Sequence, residues 1–189
     1  ALNISGHVYR WQLSNVSQRQ QAYHDLMKIL TGVDANEVES VLKQMRGCRT
    51  MSDYLVENDY RAFTINELQE LSTCDLIEIG AHTRNHVNLA VLSPSAQFEE
   101  IQGCRHELET WLERECTSFS YPFGFPNLHF DNESVEIVRK CGYRRACSNH
   151  AGWTTWRTNP LRYPRYLVRD WDGEKFQRQL MQWFANPPA

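Results

Sequence analysis

Leu76-Ile77-Glu78-Ile79-Gly80-Ala81-His82-Thr83-Arg84-Asn85-His86 opens as a short β-branched run and, past a glycine, closes on two histidines four residues apart. The first four residues read as a strand that ends at Gly80. Two imidazoles at that spacing can turn to one side of a helical turn, which a divalent cation needs when one short segment supplies two of its ligands. Surface or core histidines also fall four apart by chance. A hydrolytic zinc site usually has three protein ligands and a water, so the pair alone leaves such a site short.

The flanking sequence sets this segment in an alternating fold. Thr64 and Glu67 form a capping pair that opens a helix with Leu68 and Leu71 inward. Downstream, Ser93-Pro94 is a helix entrance, and Phe98, Ile101, Leu108 and Leu112 mark an amphipathic helix to about residue 115. A strand follows over 118–121. Asp131 opens a helix with Val135, Ile137 and Val138 inward, closed by Gly142, and 143–148 reads as the next strand. The chain finishes with an extended stretch over 161–168 and a helix over 172–186, with Phe176, Leu180, Trp183 and Phe184 on one side. Upstream, helices are expected over 20–30, over 35–46 behind an Asp34 cap with Val38, Val41, Leu42 and Met45 inward, and over 52–58. Helix–strand alternation argues for βα units on a mostly parallel sheet, whose chemistry collects at the carboxyl ends of the strands.

Two more strand ends carry polar or turn-forming residues. In Phe119-Ser120-Tyr121-Pro122-Phe123-Gly124, Pro122 fixes a φ angle and Gly124 permits a tight turn, so the corner can present the Phe123 N–H as an oxyanion donor. The same residues also suit an ordinary strand-to-loop corner. Arg145-Ala146-Cys147-Ser148-Asn149-His150-Ala151-Gly152-Trp153 turns polar at the third end, and Trp153 and Trp156 suit either a sugar-stacking wall or a core. His7, His24, His106 and His129 read as surface or hydrogen-bonded residues, and Glu99-Glu100 as a charge pair without a role.

In this order, the three features resemble the polysaccharide deacetylase family, the NodB-homology carbohydrate esterases. Residues 78–89, Glu-Ile-Gly-Ala-His-Thr-Arg-Asn-His-Val-Asn-Leu, look like that family's His-(Ser/Thr)-x-x-His motif with its strand; 119–124 is similar to its next motif, and Leu161-Arg162-Tyr163-Pro164-Arg165-Tyr166-Leu167-Val168 resembles its closing Leu-Pro-Arg strand. The resemblance implies an α/β fold, a distorted (β/α) barrel, in one domain over 1–189 with a helical insertion at about 18–58. It implies metal-dependent removal of N-acetyl groups from aminosugars of a polysaccharide or glycan. His82 and His86 would hold the metal, zinc first and nickel or cobalt otherwise. Phe123 would offer its backbone N–H to the oxyanion. Tyr121, Pro122, Asn149, His150, Trp153 and Trp156 would shape the sugar groove, and Arg165, His150 or a water would stand where many members carry a general-acid histidine.

Family members open with a Thr-Phe-Asp-Asp-like strand that supplies the base and a third ligand, and this sequence has none. Ala1-Leu2-Asn3-Ile4-Ser5-Gly6-His7-Val8 resembles the family's second strand, so the first βα unit is expected to be missing from this chain. The sheet edge so exposed calls for a homodimer, or for the insertion, to cover it. A non-catalytic glycan-binding module or an interaction scaffold on the same fold is the alternative.

Composition limits the other classes. The chain has 189 residues, 41% hydrophobic, with 20 basic against 23 acidic side chains. That balance supplies no positive field for nucleic acid or anionic lipid. No apolar run approaches the roughly 18–20 residues of a membrane span, and no export signal opens the sequence. Six cysteines without a Cys-x-x-Cys pair are expected to be free thiols, which with the missing signal favours a soluble, cytoplasmic chain.

Overall fold

Ser5 and Gly6 carry the backbone through positive φ values of 50° and 81°, the geometry of a two-residue hairpin turn. The first residues therefore fold back on themselves: β1 (Leu2–Ile4) pairs antiparallel with β2 (His7–Tyr9) in the computed structural model, which describes residues 1–46 and 61–185. This corrects the expectation of one strand over 1–8. Helices α1 (Val16–Leu30) and α2 (Ala35–Arg46) follow. Asp34 Oδ1 caps α2 by accepting from the Glu37 N–H at 2.9 Å, but the Glu37 carboxylate turns to the Ser5 N–H instead of back to the cap. Gln44 bonds both the N–H and the C=O of Asn3, which seats α2 on β1, with Ile4 and Val41 buried. The helix expected over 52–58 lies outside the described residues. In α3 (Ile65–Ser72) the Thr64–Glu67 capping box forms as expected, whereas Leu68 and Leu71 are only half-buried. These elements belong to the first of two compact units, Ala1–Cys74; the second is Asp75–Ala189.

In the second unit the expected strand over 76–79 does not form. Leu76 is 94% exposed, so its side chain finds no face to bury, and β propensity yields where packing is missing. Pairing closes only at Ala81, which bridges Phe119 in parallel: the Ala81 N–H donates to Ser118 O and the Ser120 N–H to Ala81 O, both at 2.9 Å. Next comes α4 (Pro94–Leu112), capped by Ser93 with Pro94 in its first turn. Ile101 and Cys104 are buried in it, but Phe98 is exposed, against expectation. Strand β3 (Ser118–Ser120) pairs in parallel with β4 (Arg145–Cys147), and α5 (Asn132–Lys140) connects them. The stretch expected to be extended over 161–168 contributes a single parallel bridge, Tyr163 to Cys147.

Four parallel segments thus lie in the order Ala81, β3, β4, Tyr163, with a helix in each of the first two connections. Helix α4 packs against α5, so both connections run over the same face. The architecture is mixed α/β. The expected barrel is corrected in this respect: among the described residues the sheet is short and does not close, because hydrogen bonding past β3 and β4 is limited to isolated bridges. A run of rings fills the core beneath the strands, Tyr121 stacking on Phe130 at 3.8 Å and Phe119 meeting Tyr121 and Tyr143. The Tyr143 hydroxyl donates to Ile101 O and ties the strand layer to α4. In α5, Val135, Ile137 and Val138 are buried as expected behind the Asp131 cap. Helix α6 (Gly173–Ala185) presents Trp183 to Tyr166, while Phe176 is partly and Phe184 largely exposed.

Cys74, Cys104, Cys116, Cys141 and Cys147 are free thiols, and Cys48 lies outside the described residues. Burial pushes the Cys141 thiol up to about 11, which keeps it protonated and unreactive. No helix of the described residues is long and apolar enough to cross a membrane, and no observation on them supports the expected homodimer. Phe130 is fully buried and stacked, so Phe130→Ala is expected to cost about 3–5 kcal/mol in denaturant unfolding. Met181→Ala, at an exposed site on α6, should stay within about 0.5 kcal/mol.

Candidate functional site

Each parallel segment ends at the same side of the sheet, and the polar residues gather there. His82 follows the Ala81 bridge, Tyr121 and Phe123 follow β3, Asn149 follows β4, and Arg165 follows the Tyr163 bridge. Together with Ser120, Tyr166 and Leu167 they line an open cleft of about 330 Å³.

His82 is oriented by the strand beside it: its Nδ1 lies 2.7 Å from Ser120 O, a carbonyl, so Nδ1 carries the proton and Nε2 keeps a free lone pair. Although the residue as a whole is exposed, desolvation of the ring against the cleft wall lowers its pKa; the Ser120 hydrogen bond opposes this, and His86 and Arg165 reinforce it. The His86 ring stands edge-on to His82 with centroids 4.8 Å apart. The turn between them is not helical, because Thr83 and His86 have φ values of 61° and 51°. The two imidazoles therefore converge by a left-handed loop and not by the helical turn that their spacing suggests.

The Pro122 corner closes on the other side of His86, whose ring meets Phe123 edge-on at 4.8 Å. Phe123 has φ 57°, and the Gly124 N–H donates to Pro122 O at 2.6 Å, so the chain makes a one-residue turn about Phe123. Among the described residues the Phe123 N–H donates to nothing within the protein. Asn149 clamps the turn from behind, its N–H donating to Gly124 O at 2.7 Å and its Nδ2 to Phe123 O at 3.2 Å. A Cβ on Gly124 would lie 2.8 Å from Asn149 N and Cβ, at φ 72°. Arg165 is held across the cleft by Ser148 O at 2.8 Å and Ser120 Oγ at 3.2 Å.

His82, His86, Tyr121, Pro122, Phe123, Asn149 and Arg165 are thus brought together. His86 and Pro122, which adjoin Phe123, are not part of the lining itself, and neither are His150, Trp153 and Trp156. The His150 Nδ1 is bound to Ser148 Oγ at 2.7 Å. Trp153 packs against Tyr166 and Phe184 and donates its Nε1–H to Trp183 O. Trp156 is 87% exposed, with the Arg157 guanidinium over its ring. His129 lies nearer the corner than its sequence context suggests: its ring meets Phe123 at 5.2 Å, its Nδ1 accepts from the Phe125 N–H, and burial lowers its pKa. Ser120 and Tyr166 fall inside segments singled out in the sequence, yet pattern alone gave them no role; Ser120 acts through its carbonyl, which no residue type reveals.

The donor set fits a divalent cation in part. The His82 tautomer and the convergence of two imidazoles suit it, while no group of three His, Cys, Asp or Glu side chains able to hold a metal occurs among the described residues.

The family model described as "Polysaccharide deacetylase" matches residues 33–146. No curated protein matches the chain. Among solved structures, the Streptococcus pyogenes deacetylase PplD in complex with acetate is similar at TM-score 0.57 and 18% identity, over 83% of this chain and 62% of that one. A Bacillus cereus polysaccharide deacetylase is similar at 0.50 and 22% identity, over 57% and 33% of the two chains, and the BpsB deacetylase domain of Bordetella bronchiseptica at 0.50 and 14%, over 56% and 49%. These identities show a shared fold. The chain spans less than two thirds of the length of each of these structures.

Two outcomes follow from the geometry. Gly124→Ala should destabilise the chain by about 1–3 kcal/mol in denaturant unfolding, through the left-handed φ and the contact with Asn149. In metal-free protein the His82 ring should titrate below about 6.5, the ordinary imidazole value, when followed by NMR. The unfolded chain then takes up that proton first, so stability falls as pH drops from about 6.5 through the lowered folded value, and His82→Gln should flatten this slope.

Proposed function

This chain belongs to the polysaccharide deacetylase family, and from that premise we propose that its cleft serves hydrolytic removal of N-acetyl groups from aminosugars of a polysaccharide or glycan. The observation that carries the reading is the convergence of His82 and His86 on the Phe123 corner, with the Ser120 carbonyl leaving His82 Nε2 unprotonated. In this reading His82 and His86 hold a divalent cation, zinc ahead of nickel or cobalt. When bound, such an ion polarises a carbonyl and lowers the pKa of water.

The chain's own residues supply the rest. The Phe123 N–H, free of partners within the protein among the described residues, serves as donor to an oxyanion, and its left-handed turn is fixed in advance by Asn149 and Gly124. Arg165 contributes positive charge and not a proton, since a guanidinium does not deprotonate in this range. Tyr121, buried and hydrogen-bonded to Leu161 O, forms part of the cleft wall, and Pro122 sets the corner that carries Phe123. His150, Trp153 and Trp156 receive no role at the cleft.

A second reading, a glycan-binding module without catalysis, is favoured by one observation: no carboxylate lines the cleft among the described residues. Oligomers of N-acetylglucosamine, incubated with the chain and excess zinc, separate the two when free acetate is followed by NMR. Acetate release that falls to background in His82→Ala supports hydrolysis. Binding of the oligomers without release supports the module, and neither binding nor release by zinc-loaded chain removes both.

A further inference from the structure

The loop from His82 to His86 has to hold two rings at a fixed separation while running through two left-handed residues, Thr83 and His86. Side chains rarely favour that conformation, so something outside the loop must over-determine it. Glu100, on α4, meets the requirement. Its Oε2 accepts from the Arg84 N–H and from the Asn85 N–H, each at 3.0 Å, and its Oε1 accepts from Asn85 Nδ2 at 2.6 Å. Two successive backbone donors that follow a left-handed residue form a concavity for an anion, and here a carboxylate of the same chain fills it. The Arg84 side chain is fastened to α4 as well: its guanidinium pairs with Glu107, and its stem lies so close to Gly103 that a Cβ there would meet Arg84 Cδ at 2.6 Å. Beyond His86, Val87 and Leu89 are buried, so the far end of the loop is fixed too.

We infer that Glu100 is a positioning residue that sets the separation and orientation of His82 and His86 by occupying the amide concavity between them. It touches neither imidazole; it acts through the Arg84 and Asn85 amides. The inference rests on the reading of His82 and His86 as metal ligands for its functional consequence, though not for its geometry. This gives Glu100, which in sequence looks like half of a solvated charge pair, a specific task. Gln at position 100 keeps the shape but turns an amide NH2 toward donors on one side or the other, and Ala removes all three bonds.

The test uses Glu100→Gln and Glu100→Ala, with Glu99→Gln as the control for loss of a neighbouring charge on the same helix. In metal-free protein, the His82–His86 ring-to-ring nuclear Overhauser contact should weaken or vanish in both Glu100 variants, and the Arg84 and Asn85 amides should exchange at least about 10-fold faster, with the α4 amides at Ile101 and Cys104 unchanged. Zinc added to the chain and followed by calorimetry should bind about 10–100-fold more weakly in the Glu100 variants than in wild type or Glu99→Gln. Retained ring contact and unchanged exchange overturn the inference. So does a lowered melting temperature with zinc affinity intact, which would mark Glu100 as merely structural. A wild-type chain that binds no zinc removes the metal reading, while the ring contact and amide exchange still decide the part played by Glu100.

Discussion

Ser120 is where the sheet and the site become one structure. Its N–H donates to Ala81 O and continues the parallel pairing across the strand ends; its carbonyl accepts from His82 Nδ1–H; its hydroxyl accepts from Arg165. Three chain segments far apart in sequence therefore meet at one residue, and a shift of β3 by one position would uncouple all of them, because strand side chains alternate in direction. The aromatic core below, with Tyr121 against Phe130 and Phe119, fixes that register from beneath. Orientation of His82 is in this sense a property of strand pairing, and strand pairing in turn depends on the buried rings.

Half of the non-glycine residues with positive φ among the described residues lie at the same place, and Ser5, Glu113 and Asn127 lie elsewhere. Thr83, His86 and Phe123 are non-glycine residues with positive φ, and all three belong to the two loops that frame the cleft. Such conformations persist only where neighbours enforce them, and here the enforcing groups are identifiable: the Glu100 carboxylate on one loop, Asn149 on the other. A rigid corner of this kind presents its N–H without having to be organised by a ligand, which is the condition under which a backbone donor stabilises developing charge most.

Helix boundaries were legible because they are encoded locally. Thr64 with Glu67, Ser93 with Pro94, and Asp131 each cap where the sequence places them, and Val135, Ile137 and Val138 face inward as their spacing requires. The strands were legible only as positions. Leu76-Ile77-Glu78-Ile79 has strand composition but no partner along most of its length, and 161–168 closes a single bridge, since pairing depends on residues distant in sequence. At the site, His82, His86 and the Pro122 corner were found from their motifs. Spacing suggested a helical turn for the two histidines where a left-handed loop exists, and it gave no hint of Glu100, whose carboxylate is fixed by the packing of α4. Trp153 and Trp156, which the sequence left open between a binding wall and a core, divide: Trp153 is drawn into the α6 cluster and Trp156 lies in solvent beside Arg157.

Charge in the cleft favours one kind of ligand under the proposed reading. Desolvation, with the added influence of His86 and Arg165, keeps His82 neutral near pH 7 and its Nε2 open, while Arg165 remains a fixed positive charge a hydrogen bond away from the same Ser120. No lining side chain among the described residues is acidic, so nothing in the wall offsets that charge. An anionic ground-state ligand would gain from it at once, and equally so in its transition state, which accelerates nothing. An amide carbonyl behaves differently. It enters neutral and acquires negative charge on oxygen only when attacked, and in the proposed reading the Phe123 N–H and Arg165 would then act on a charge that was absent on binding. Under that reading the cleft suits acyl transfer from a neutral amide better than retention of an acidic sugar, because its wall carries the Arg165 charge and, among the described residues, no acidic side chain.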